Sequence, residues 1–243
     1  MAQVIMVASG KGGTGKSTVA SYLALELALK GHKTFLTELD MGLRSIDLIS
    51  GISEKAVYDI GDVLQGDCRW EKAIVTSPHT SKLHIMPAPG KTSGVKFENL
   101  KSLTDKIYME YDYIIIDTAA GLGEAFYAAA NVAHMAIIVC TADMVSVRDA
   151  RIVSDEIYYK GIKDIRLVIN KYDKNTFRHS GYDDADQIID ACCTQLVGVI
   201  PYDTTLQVCA MDGKMLPNDG QAKRIFTAIT DRLQGKHSQM IIR

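Results

Sequence analysis

Short, mainly apolar runs alternate along this chain with longer stretches whose apolar residues recur every three or four positions. The runs are Val4 to Ala8, the apolar and β-branched stretch Lys33 to Leu39, Leu83 to Pro87, Tyr113 to Asp117, residues 136–141 and Ile165 to Ile169. The continuous apolar run from Tyr113, ending in a carboxylate, is the kind expected of a strand covered on both faces. The intervening stretches read as helices. One carries Val19, Leu23 and Leu27 on one face, runs to about Lys30 and stops at Gly31; another, over 57–65, places Val57, Ile60 and Leu64 together. Residues 96–108 repeat the pattern with Phe97, Leu100, Leu103 and Ile107, and 220–234 with Ile225, Ile229 and Leu233; 123–133, 145–160 and 185–195 are also helical. Helix 123–133 is alanine-rich, which suits close packing, against another subunit for instance. Strands alternating with helices predict an α/β fold: a mostly parallel sheet of about seven to eight strands with helices on both faces. One domain is expected over 1–234, with a short tail at 235–243; 91–94 and 174–183 read as polar loops.

The chemistry concentrates where the first strand meets the first helix, at Gly10-Lys11-Gly12-Gly13-Thr14-Gly15-Lys16-Ser17-Thr18. Strand, glycine loop and helix is the context that makes a phosphate-binding loop credible. Glycines let successive backbone N–H groups converge on phosphate oxygens, and the helix opening at Gly15 adds its positive dipole end. Lys16 brings a charge to the β- and γ-phosphates, and Ser17 offers a hydroxyl to Mg²⁺. The domain is therefore expected to be a P-loop NTPase. Asp117, ending an apolar strand, is the candidate Walker B carboxylate, holding Mg²⁺ through water. Glu38 and Asp40 arrive at the end of the second strand, on the edge where ligands sit in open α/β sheets.

Composition adds mainly exclusions. Apolar residues make up 47% and charged residues 23% of 243, which suits a large core under a polar surface. A net charge of −2 argues against a globally basic nucleic-acid binder. No apolar run approaches the roughly 20 residues of a membrane span. The first residues already read as strand, without a signal peptide, and five cysteines lack metal-ligand spacing, so a reducing cytoplasm is expected.

Lys11, beside the first glycine, is not needed by an ordinary loop of this kind. The run Lys-Gly-Gly-Thr-Gly-Lys-Ser resembles the deviant Walker A motif of the MinD/ParA ATPases, in which that lysine reaches across a dimer interface to the partner's nucleotide. The segment Asp40 to Leu48 resembles switch I of the MinD branch, which implies that Asp40 orients the attacking water and lies near the Mg²⁺ shell. Asp117-Thr118-Ala119-Ala120-Gly121 resembles the family's Asp-x-Pro-Ala-Gly switch II, with Ala119 departing from the proline; Gly121 would offer a backbone N–H to the γ-phosphate. Asn170-Lys171-Tyr172-Asp173 also matches the guanine-reading motif of GTPases. The family resemblance instead implies adenine at Asn170, with Pro201, Tyr202 and Asp203 lining the base pocket, and ATP is favoured over GTP. Thr141 to Asp149 resembles the helix that receives regulatory partners, which points to Arg148 and Asp149.

The resemblance extends over residues 3–234. It implies an ATP-dependent homodimer that helps place the bacterial division septum, binding a division inhibitor and an ATPase activator of the MinC and MinE kind. Hydrolysis would be Mg-dependent and slow without a partner, with Lys11, Lys16 and Asp40 as its catalytic residues. Two alternatives come with the same loop: a ParA-like partitioning ATPase that binds DNA non-specifically, and a redox iron-protein relative, which would need paired interface cysteines. A specific nucleic-acid partner is not expected. The tail Lys236-His237-Ser238-Gln239-Met240-Ile241-Ile242-Arg243 is a weak membrane anchor, because three adjacent apolar residues cannot form one face of a helix.

Overall fold

In a computed structural model, residues 1–41, 44–53, 55–90, 94–178 and 180–240 are described. Strands are β1 (Gln3–Ala8), β2 (Thr34–Glu38), β3 (Val75–Thr76), β4 (Leu83–Met86), β5 (Tyr113–Asp117), β6 (Met135–Thr141), β7 (Asp164–Tyr172) and β8 (Gln195–Pro201). Helices are α1 (Lys16–Leu29), α2 (Ser45–Ile49), α3 (Ile60–Gln65), α4 (Leu100–Ile107), α5 (Glu124–Ala130), α6 (Met144–Tyr159), α7 (Lys174–Phe177), α8 (Ala185–Cys192), α9 (Thr204–Met211) and α10 (Gln221–Leu233).

The strands form one sheet in the order β3-β4-β2-β5-β1-β6-β7-β8, parallel except for β3, which pairs antiparallel with β4. Alternation along each strand feeds two cores. In β1, Val4, Met6 and Ala8 face one side, where α4, α5, α6 and α8 lie. Ile5 and Val7 face the other, packed by α1, α9 and α10. Because both faces are covered, β1 from Val4 and β5 up to Asp117 run without a charged position. There the register sets Glu38 beside Asp117 and Asp117 beside Val7, so the ends of β2, β5 and β1 bring two carboxylates to the glycine loop.

Helix α1 is buried nearly all round, including Glu26, whose carboxylate receives Lys223 and the Thr227 hydroxyl from α10. Tyr22 of α1 and Phe226 of α10 meet with ring centroids 5.5 Å apart.

Several expected boundaries move. The helix foreseen over 57–65 begins only at Ile60, because Asp59 forms a capping box with Asp62; Val57 is 86% exposed and belongs to no apolar face. In the alanine-rich helix, Ala125, Ala129 and Ala130 pack into the chain's own core, and Ala128 is partly buried beside it. Strand β7 continues through Asn170 and Lys171, and α7 interrupts the expected 174–183 loop. Residues 91–93 of the loop foreseen at 91–94, Gly42 and Leu43 of the segment resembling switch I, and 241–243 of the tail lie outside the described residues. Up to Gln239 the tail folds back: the Arg232 guanidinium donates to the Val197, Ser238 and Gln239 carbonyls.

Candidate functional site: a phosphate loop over a buried lysine and aspartate

The loop between β1 and α1 takes its shape from glycines at left-handed positions, Gly13 at φ 79° and Gly15 at φ 87°. A Cβ on Gly15 would stand 2.2 Å from the Asn170 amide nitrogen, and one on Gly10 would stand 2.5 Å from the Asp149 carbonyl oxygen. These two glycines let the loop lie directly on β7 and α6. At Gly12 and Gly13 a Cβ would meet nothing within 4 Å, so the middle of the loop is not packed against the rest of the chain.

Beneath the loop, Lys16 begins α1 and its ammonium donates to Asp117 Oδ1 at 2.7 Å, with the lysine 7% and the aspartate 0% exposed. The Ser17 hydroxyl lies close enough to favour the charged form of Asp117. Burial pushes the Asp117 carboxyl above the ordinary range against the pull of Lys16, and the charge of Asp40 adds to the rise. Asp117 Oδ2 and the Thr14 hydroxyl are buried and find no hydrogen-bond partner among the described residues. Glu38, which was not singled out as a site residue, is fully buried next door. It accepts from the Ser45 and Ile46 N–H groups at 3.3 and 3.0 Å. Burial and then the charge of Asp117 lift its pKa to about 7. The sequence signal for Glu38 was only its place at the end of β2. Among the described residues no three acidic or metal-binding side chains are gathered as a preformed cation cluster. Asp117, with one buried oxygen left unpaired, and the neighbouring Ser17 hydroxyl are nevertheless oxygen donors of the kind Mg²⁺ takes, and the charge of Asp40 reaches the same carboxylate.

The expected base-reading residues divide. Asn170, 4% exposed, donates its amide to the Thr14 carbonyl at 2.7 Å, so the same side chain that could read a base edge also props the phosphate loop. Lys171, at φ 54°, donates to the Gly13 carbonyl at 2.8 Å. Tyr202 is 57% exposed and its N–H donates to the Tyr172 carbonyl; Pro201 ends β8 beside it. The Asp203 carboxylate caps α9, accepting from the Thr205 and Leu206 N–H groups. A cleft of about 300 Å³ is lined by Lys11 to Thr14, Asp143, Lys171 and Phe177 among others. Thr18 is half-buried within α1.

Two further assignments meet a different geometry. The Gly121 N–H, expected to face a γ-phosphate, donates to the Ser9 carbonyl at 2.9 Å, so in this conformation switch II is tied to the loop. Lys11 does not join Lys16. Its ammonium lies 3.6 Å from Asp143 Oδ1, just before α6, with both side chains nearly half exposed. Burial alone would raise the Asp143 carboxyl. The Thr141 hydroxyl, the Ser146 N–H and the Lys11 ammonium together hold it below the usual range. Arg148 and Asp149 form an ion pair at 2.9 Å on the first turns of α6, Arg148 being well exposed.

A strand, a glycine loop, a helix opening beneath it, and a lysine from that helix on an aspartate of the adjacent strand define a P-loop NTPase. Comparison with known proteins narrows the class. The ParA family model, described as NUBPL iron-transfer P-loop NTPase, matches residues 1–234. A putative septum site-determining protein MinD of Guillardia theta is 34% identical over 218 residues, covering 89% of this chain and 81% of that protein. The septum site-determining protein MinD of Bacillus subtilis is 30% identical over 242 residues, covering 97% and 90%. The structure of a MinC:MinD cell division protein complex from Aquifex aeolicus superposes with a TM-score of 0.90 at 29% identity, over 100% of this chain and 99% of that one. The chain belongs to the MinD family of septum site-determining P-loop ATPases.

Proposed function

We propose that the protein is an ATP-driven dimerising switch that helps place the division septum, with residues 1–234 as its ATPase domain and 235–243 as a tail. The observation that carries the reading is the separation of two lysines. Lys16 lies under the loop on Asp117, whereas Lys11 points away from that pair towards Asp143, where a second copy can receive it. Gly12 to Thr18 cradle the phosphates through backbone N–H groups and the Thr14, Ser17 and Thr18 hydroxyls. Ser17, Asp117 and Asp40 hold Mg²⁺, which neutralises charge on the phosphates when bound. Asp40 also positions the attacking water, and Lys16 together with Lys11 of the second copy stabilises charge on the transferred group. Turnover is slow until both copies are in place, since neither site is complete alone.

Gly121 gives the switch its sensor. Its N–H leaves the Ser9 carbonyl for the γ-phosphate, so ATP but not ADP draws switch II to the site. A division inhibitor of the MinC kind is the partner suggested by the Aquifex aeolicus complex, and an activator of the MinE kind completes the cycle. Both dock near Arg148 and Asp149 on α6. Among the described residues no helix is long and apolar enough to cross a membrane, and contact with a membrane surface would be peripheral.

Size measurement in solution tests the reading directly: a monomer with ADP and a dimer with ATP are expected, and a monomer in both would overturn it. Base preference is tested by displacing labelled ATP. Unlabelled ATP should compete about tenfold better than GTP, because Asn170 is committed on one side to Thr14 and the family resemblance makes it, with Pro201, Tyr202 and Asp203, a reader of adenine. Equal displacement by GTP would make Asn170 to Asp173 a working guanine reader.

A further inference from the structure

Two cysteines close α8, and their surroundings are opposite. Cys192 is buried, and its thiol donates to the Val147 carbonyl at 3.7 Å. Cys193, left-handed at φ 49°, is exposed. The Arg151 guanidinium of α6 donates to its sulfur, and its thiol donates to the Asp190 carbonyl at 3.3 Å. Cys193 also lines a cleft of about 890 Å³ between α6, α8 and the amino ends of β7 and β8. The phosphate loop rests on the other end of β7, at Asn170, so the cleft is a separate place.

The cleft wall carries both signs of charge. Asp155 and Asp190 are acidic, and Arg166 and Lys163 are basic. Among the described residues Lys163 forms no ion pair; its ammonium stands 3.4 Å from the centre of the Tyr158 ring. Thr194 lines the same cleft at 8% exposure, and its hydroxyl finds no partner among the described residues. A buried hydroxyl without a partner is an unmade bond, which the amide group of a ligand can make.

We propose that Cys193 and this cleft form a modification site for a low-molecular-weight peptide thiol, one carrying carboxylates and an ammonium group, held as a mixed disulfide. An exposed thiol alone selects no reagent. Here Lys163 and Arg166 suit the carboxylates, Asp155 and Asp190 suit the ammonium, and the Thr194 hydroxyl suits a peptide amide. The cleft is of the volume that encloses a small ligand. The reagent is the disulfide of that thiol. Cys193 gives its proton to solvent and attacks one sulfur of the disulfide. A new sulfur–sulfur bond forms to Cys193, the original one breaks, and the other half leaves as a thiolate. The Cys193 sulfur is oxidised and the leaving sulfur reduced. Arg151 stands where the attacking thiolate carries its charge. Cys192 is held in the core at Val147 and is not placed to displace the adduct, which lasts until an external thiol reverses the exchange.

Glutathione disulfide and the neutral hydroxyethyl disulfide are the probes, applied to the full chain. The urea-unfolded chain gives the intrinsic reactivity towards each. Peptide mass mapping, after the remaining thiols are blocked, locates the adduct. Cys193 should be modified first, ahead of the half-buried Cys68. Relative to the unfolded chain, the folded chain should favour glutathione disulfide by about fivefold in low salt, and about 0.5 M salt should reduce that preference. Lys163→Gln and Thr194→Val should each lower it by about twofold or more, with the rate towards hydroxyethyl disulfide unchanged. Lys163 is exposed, so its variant guards against a folding defect at Thr194. Arg151→Gln should slow both reagents by about threefold. An adduct that forms first on another cysteine would overturn the proposal. Equal preference in the folded and unfolded chains, or a parental preference in both cleft variants, would also overturn it and leave Cys193 as an exposed thiol only.

Discussion

Replacing Lys11 by alanine should leave ATP binding within a few-fold of the parental chain and cut turnover by about 10³-fold or more. The magnitude is that of a cationic side chain supplied to a phosphoryl-transfer site from outside its own subunit. Phosphoryl transfer asks the protein for position and charge rather than covalent chemistry, so one missing positive charge at the transferred group is felt almost entirely in the rate. Binding should survive because Lys16 and the loop amides belong to the chain's own site, and Lys11 touches neither Asp117 nor Ser17. Folding should survive too. Lys11 is 45% exposed and its one ion pair, with Asp143, is of a surface kind, so a stability change within about 0.5 kcal/mol is expected. Titration calorimetry for binding, a thermal melt and a phosphate-release assay separate the three quantities. Turnover within about threefold of parental would remove Lys11 from the reaction. Loss of nucleotide binding would instead make it an ordinary member of its own loop.

The parts of the molecule that were legible in its sequence share a physical reason. Val4 to Ala8 and Tyr113 to Asp117 are buried on both faces, so their composition leaves no ambiguity of period, and a carboxylate at the end of such a run has to sit at the sheet's edge. The glycine loop is legible because few other local structures need so many glycines before a lysine. What was missed lacked a period. Strand β3 is two residues long and pairs on the edge, too short to alternate. Helix α9 buries Leu206, Cys209 and Ala210 but leaves Val208 and Met211 exposed, so it shows no polar face by which to recognise it. Val57 failed as a helix residue for the opposite reason: its spacing was right, but Asp59 caps the helix after it.

Within the site, residue types were readable and partnerships were not. Asn170 was placed at the base, yet its amide donates to the Thr14 carbonyl, a link across 156 positions that spacing cannot foretell. Glu38 looked like one of two acids closing β2. Only the register of β2 against β5 shows that its carboxylate stands beside Asp117, where burial and like charge lift its pKa to about 7. Asp143 lies within the Thr141 to Asp149 stretch, but its roles as cap and as partner of Lys11 appear only when β6, α6 and the loop are seen together.

The largest effect on both stability and binding is expected at the other lysine. Lys16→Ala removes the counter-charge of a carboxylate that is 0% exposed and already has one oxygen without a partner. Breaking a buried pair from one side costs about 3–5 kcal/mol, because the remaining charge has neither water nor a partner. Ser17 still favours the charged form of Asp117, which places the expected loss towards the lower end of that range. The same change takes from the phosphate loop the lysine that lies beneath it, so affinity for ATP should fall about 100-fold or more. The two effects are separable. In Lys16→Ala/Asp117→Ala the orphaned charge is gone, and urea unfolding without nucleotide should recover a substantial part of the lost stability, while ATP binding stays absent. Recovery identifies desolvation of Asp117 as the cause of the single variant's weakness. Additive losses, with the double variant less stable than either single one, would mean that the pair stabilises the fold by packing and that its electrostatics are of little consequence before nucleotide arrives.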